Sequence, residues 1–231
     1  TAGTLDASTR TITLSGTTGS PFSNSGTFTA STSTVSYTGN NAAGNTTVTG
    51  VSYYNLTVNN AAETYALGGD TTVSNILTIT AGTLDASTRT ITLSGTTGAP
   101  FSNSGTFTAS TSTVSYTGAN AGGDTTITAV TYYNLTLNAN DTFVLAANTD
   151  VNNNFTITQG TVDVVNLSNY SLTVGGNYSN SGTFTARSGT VTLDATANGK
   201  TLTAGGSSFY NLTLNGVGGV WTLQDATTVS N

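Results

Sequence analysis

The chain has 231 residues, 6% of them charged and 35% hydrophobic, with a net charge of −6. Its four basic residues, Arg10, Arg89, Arg187 and Lys200, cannot build a basic patch, which argues against nucleic acid and against polybasic membrane contact. Without Cys or His it can form no disulfide, thiolate metal site or histidine-based triad, and no apolar run approaches the roughly 20 residues of a spanning helix.

Residues 1–16 read TAGTLDASTRTITLSG. The same sixteen letters return at 80–95, and a worn copy, TQGTVDVVNLSNYSLTV, lies at 158–174. A unit of about 79 residues is therefore repeated in tandem, as 1–79, 80–157 and 158–231, and is read as one continuous array in which each unit stacks on its neighbour.

Inside the units a shorter motif recurs, in which a Gly or large apolar residue is followed by Thr and an apolar residue. In chain order it is Gly26-Thr27-Phe28, Leu56-Thr57-Val58, Leu77-Thr78-Ile79, Gly105-Thr106-Phe107, Leu135-Thr136-Leu137, Phe155-Thr156-Ile157, Gly182-Thr183-Phe184 and Leu212-Thr213-Leu214. The first three spacings of its last residue are 30, 21 and 28, which predicts three unequal turns per unit and about nine turns in all. Around these triplets apolar and Thr/Ser residues alternate with period two, so the segments are strands, with Phe, Leu, Ile and Val inward and Thr and Ser outward. The fold class predicted is all-β, a parallel β-helix or β-solenoid with three rungs per unit. Gly39–Asn45 and Gly118–Asp124 are predicted to bulge out as equivalent loops.

An Asn precedes each triplet: Asn24, Asn55, Asn75, Asn103, Asn134, Asn153, Asn180 and Asn211. Stacked on successive rungs these amides would form a hydrogen-bonded ladder. Alternatively, each Asn simply suits a turn. Tyr53-Tyr54, Tyr132-Tyr133 and Phe209-Tyr210 read either as one core ring and one corner ring, or as a sugar-stacking ladder; Tyr65, Phe143 and Trp221 read as core.

No constellation for catalysis emerges. Asp6, Asp85 and Asp163 occupy one position in successive units, and three rungs would hold them about 14 Å apart. That exceeds the roughly 5–9.5 Å of paired glycosidase carboxylates. Asp6 and Asp85 could pair with Arg10 and Arg89. Asp70, Asp124, Asp141 and Asp150 are scattered, with no Asp-rich glycine loop, and give a loop calcium only weak support. The chain is read as a non-enzyme without catalytic, cofactor or metal residues. The sharpest candidate surface is an outward Thr face formed by Thr27, Thr29, Thr78, Thr80, Thr106, Thr108, Thr156, Thr158, Thr183 and Thr185, the pattern of an ice-binding solenoid.

The phrases LTITAGTLDAS, SNSGTFTAS and YYNLTVN resemble repeats of large bacterial surface proteins of the filamentous-haemagglutinin-like and autotransporter adhesin type. That resemblance implies a secreted, non-enzymatic β-solenoid serving as a stalk or fibre, and carries no binding residues with it. The expected function is a structural segment of an extracellular fibre or adhesin stalk at the cell surface. Its expected partners are copies of itself or flanking repeats, stacked end to end through open sheet edges, with lateral fibre contacts and no insertion in a membrane. The alternatives are an ice-binding or a polysaccharide-binding solenoid.

Overall fold

The computed structural model describes residues 2–163 and 169–231; Thr1 and residues 164–168 of the worn third copy lie outside them. Among the described residues there are strands and turns and no helix, and the strands stack in parallel as a β-solenoid. The alternation is the cause. Apolar residues at every second position supply one buried face, and β-branched Thr fits the solvent-facing half of a pleated strand.

The chain divides into two compact units, Thr1–Ser112 and Thr113–Asn231, so the division falls inside the second copy of the sequence repeat. In the first unit, strand Thr11–Leu14 pairs with Thr34–Tyr37, which pairs with the long strand Ser52–Leu67, then with Thr71–Asp85, which in turn carries Phe101–Asn103. The register stacks Ile12, Val35, Leu56, Leu77 and Phe101 in one column and Leu14, Tyr37, Val58, Ile79 and Asn103 in the next. Leu56, Val58 and Ile79 are wholly buried, and each such side chain contributes roughly 1.5–3 kcal/mol. The second unit repeats the scheme with Val114, Leu135, Phe155, Tyr178, Leu202 and Leu223 in one column. Another column holds Tyr132, Val151, Val174, Leu193 and Leu214. Corners form where long strands break register, as between Val58 and Asn59 and between Asn59 and Thr64.

The turn is shorter than the triplet spacing predicts. Ile12 to Phe101 covers 89 residues in four steps, about 22 per turn. A 79-residue repeat therefore makes about three and a half turns rather than three, and the described residues make about eleven turns rather than nine. The reason is that the Gly-Thr-Phe triplets are not equivalent to the Leu-Thr-Val triplets. Phe28 pairs with Leu5, and it stands outside the column of Val58 and Ile79. Gly26-Thr27-Phe28 is the covering of Gly3-Thr4-Leu5.

A non-integral repeat has a geometric consequence. Identical sequence lands on a different face each time it returns. Ile12 stands in the column that runs to Phe101, whereas its twin Ile91 stacks on Thr71. Asp6 stacks with Thr29, while its twin Asp85 belongs to the column Thr47, Ala66, Asp85, Thr108. The aspartates are thus not one column with three-rung spacing.

Candidate functional site

The predicted Asn ladder resolves into two kinds of position. Asn75 Nδ2 donates to Asn55 Oδ1 at 2.8 Å, and Asn55 Nδ2 donates to Thr34 Oγ1 at 3.2 Å. The same three-rung ladder recurs as Asn153 to Asn134 (2.9 Å) to Thr113 (3.3 Å). It recurs again as Asn231 to Asn211 (2.7 Å) to Thr190 (3.3 Å). Asn24, Asn103 and Asn180 instead accept from the backbone N–H two residues on, at Gly26, Gly105 and Gly182. These three close turns, as an Asx side chain does. Both readings of the Asn pattern thus occur, at different positions.

The ten threonines of the candidate face are not brought together. Thr27 and Thr29 stack on Thr4 and Asp6, Thr106 and Thr108 on Thr83 and Asp85, and Thr183 and Thr185 on Thr161 and Asp163. Thr78 belongs to another column, Thr13, Ser36, Thr57, Thr78, Ser102. Thr156 lies in the column Ser115, Thr136, Thr156, Ser179, Thr203. Thr80 and Thr158 follow these strands' inward Ile79 and Ile157 and are exposed where the chain turns the corner. The rotation of the repeat around the coil accounts for the dispersal.

The aspartates of the repeat are structural. Asp6 Oδ1 accepts from the Ser8 N–H (2.8 Å) and the Ser31 hydroxyl (2.9 Å), and these bonds hold its carboxyl below the ordinary range. Asp85 is held in the same way by Ser87 and Ser110. In the third copy Arg187 replaces the second serine and forks onto Asp163, with its closest contact at 2.7 Å. Ser31, Ser110 and Arg187 all take positive φ, 47°, 49° and 48°, at this corner.

One residue passed unremarked in the sequence. Glu63 is 4% exposed, and its two oxygens accept from the backbone N–H groups of Asn41 and Thr46, each at 2.7 Å. It therefore ties both ends of the loop at 39–45 to the coil. In the second copy Asp141 does this work, accepting from the Asn120 N–H (3.0 Å) and the Thr125 hydroxyl (2.5 Å). The signal was parity: Glu63, Tyr65 and Leu67 alternate inward together, as do Asp141, Phe143 and Leu145. An acid in phase with the core needs buried donors.

In each aromatic pair the first ring, Tyr53, Tyr132 or Phe209, is core and the second is half-buried. Tyr53 is wholly buried and Tyr54 half-buried. The Tyr37 hydroxyl donates to the Tyr53 oxygen (3.1 Å), Tyr53 donates to the Thr49 carbonyl (2.7 Å), and the Thr49 N–H donates to Tyr37 (3.1 Å). Tyr116, Tyr132 and Thr128 repeat this ring of bonds. Burial pushes the Tyr53, Tyr116 and Tyr132 phenols upward, and Tyr65 rises to about 12 through burial and the Glu63 carboxylate.

Among the described residues the exposed large apolar side chains sit on the first and last rungs: Leu5 at 50%, and Leu214, Val217, Val220, Leu223 and Val229 at 44–89%. A groove of about 290 Å³ between Gly3–Leu5 and Phe22–Phe28 belongs to the first rung. Its counterpart one repeat on is covered by Thr64–Ala66, and there Phe101 is 2% exposed. The groove is an uncovered rung rather than a ligand pocket. Among the described residues no group of three or more His, Cys, Asp or Glu could hold a metal ion. Comparison with protein-family models, curated proteins and solved structures gives no match.

Proposed function

We propose that this chain is a structural segment of an extracellular fibre or adhesin stalk, built to be continued along its axis. The observation that supports this reading best is the register: within each unit every rung pairs in parallel with the next, and the same strand phrases return along the chain. The ladders of parallel hydrogen bonds within each unit run from rung to rung, so tension along the coil loads many bonds at once. The resemblance of the repeat phrases to bacterial surface proteins supports a role outside the cell. Dispersal of the threonine pairs over several faces favours a fibre over an ice-binding plane. Electron microscopy of the purified chain at rising concentration tests the reading. Unbranched filaments or end-to-end chains are expected; isolated particles at every concentration, or thermal hysteresis in their place, would count against it.

A further inference from the structure

We infer that Asn198-Gly199 is a site of self-modification: in the folded chain the Asn198 side chain closes on the Gly199 nitrogen, sheds ammonia and is opened by water to a carboxylate, while the second Asn-Gly pair, Asn215-Gly216, is held unreactive by its packing. This reactivity does not depend on the fibre reading above. The reaction balances with water alone. The Gly199 backbone nitrogen attacks the Asn198 Cγ and loses its proton, the Cγ–Nδ2 bond breaks, and ammonia leaves with that proton. Water then opens the cyclic imide at either carbonyl and leaves an aspartyl or isoaspartyl linkage at position 198.

The copies of the repeat differ at this loop. In the first copy Glu63 ties both ends of the loop at 39–45, and in the second Asp141 ties the loop at 118–124. The stretches 34–67 and 190–223 are equal in length, which sets Asn198-Gly199 in the place of Ala42-Ala43 and Gly219 in the place of Glu63. The register agrees, because Val191 lies on Leu212 as Val35 lies on Leu56. Gly219 has no side chain, so the third copy's loop lacks the carboxylate that ties the other two. The tip left untied carries Asn198-Gly199.

The two Asn-Gly pairs stand in opposite surroundings. Asn198 and Gly199 are exposed, although the chain's own next turn already lies against this loop, with Gly216 and Gly219 packed on Ala195. Gly199 has φ +81°, and a Cβ placed on it meets nothing within 4 Å. Among the described residues no hydrogen bond holds the Asn198 amide or the Gly199 N–H. The Gly199 nitrogen is free to swing onto Cγ without losing a contact, and glycine brings no side chain to bar the approach. Asn215-Gly216 is clamped instead. The Asn215 N–H donates to the Leu193 carbonyl at 2.8 Å, and the Gly216 carbonyl accepts from the Gly219 N–H at 3.2 Å. Gly216 lies so close to the turn beneath that a Cβ on it would stand 1.9 Å from the Ala195 carbonyl oxygen. Closing the imide there requires the Gly216 backbone to leave that packing.

The test ages the whole folded chain in mildly alkaline buffer and follows both pairs by peptide mass mapping, which reads the gain of one mass unit at each. A parallel sample unfolded in denaturant gives the rate of each pair without structure. Folded Asn198 should convert within about threefold of its unfolded rate, and folded Asn215 at least tenfold more slowly than folded Asn198. In denaturant the two rates should converge. A more acidic form should grow with age on a charge-sensitive gel of the native chain. Asn198→Gln, whose longer side chain closes the ring far more slowly, should remove that form and leave the circular dichroism unchanged. Folded Asn198 that converts no faster than folded Asn215, or at least tenfold more slowly than in denaturant, overturns the inference, as does an acidic form that persists in Asn198→Gln.

Discussion

At the scale of single residues, the coil is held by polar side chains placed where the core turns a corner. Glu63 is the clearest. Removing it strands one buried and one part-buried backbone N–H, and a buried one costs about 1–3 kcal/mol. Glu63→Ala is expected to destabilise the chain by about 2–4 kcal/mol in denaturant unfolding. Glu63→Gln, which keeps one acceptor oxygen, should cost less than half of that. Gly82 gives a second contrast. Gly82→Ala needs a left-handed backbone with a methyl pressed on the rung beneath, and should cost at least ~2 kcal/mol. Gly3→Ala, in identical sequence, should be silent. The tyrosines set the alkaline limit. The Tyr53, Tyr65, Tyr116 and Tyr132 phenols ionise near 10 when unfolded and higher when folded, with Tyr65 at about 12. Above pH ~10 the unfolded chain releases protons that the folded chain retains, so stability falls as pH rises from about 10 through 12. Phenolate absorbance should therefore rise together with loss of the β circular dichroism signal, rather than before it.

At the scale of the strand and its rung, the sequence carried more than the triplets conveyed. Period-two alternation identifies strands and their inward faces correctly, from Val35 and Tyr37 to Leu202. The turn length was legible too, but in a longer phrase. GTLDASTRTITLSG at 3–16 and GTFTASTSTVSYTG at 26–39 share their Gly, Thr, Ala and Ser positions at a spacing of 23, and these segments do stack, Leu5 on Phe28 and Ile12 on Val35. A Thr next to an apolar residue is too common here to carry register, so triplets alone align Phe28 with Val58. The Asn ladder was half legible. The sequence places an amide before each strand, but whether it meets another amide depends on what the neighbouring rung offers. Asn55 meets Asn75, whereas Asn24 meets only its own turn. Column packing predicts that Leu56→Ala costs about 2–5 kcal/mol, as a wholly buried Leu between Val35 and Leu77. Leu214→Ala, on the last rung and 64% exposed, should cost under about 1 kcal/mol in the single chain.

At the scale of the whole molecule, the mismatch between repeat and turn matters most. Because 79 residues make about three and a half turns, Ile12 and Ile91, and likewise Asp6 and Asp85, fall in different columns of the first unit. Within the first unit the copies of one feature are therefore not gathered on one flat plane. The same mismatch separates Asp6 from Asp85 and leaves each with its own local serine partners. The central claim is that successive rungs lie about 22 residues apart. Nitroxide labels on cysteines introduced pairwise at Ser36, Thr57 and Thr78, three outward positions of one column, measure it most directly. Rungs at roughly 4.8 Å spacing make the 36–57 and 57–78 separations nearly equal and the 36–78 separation about twice as large. Unequal neighbouring separations, or a 36–78 distance no longer than the other two, would contradict the coil.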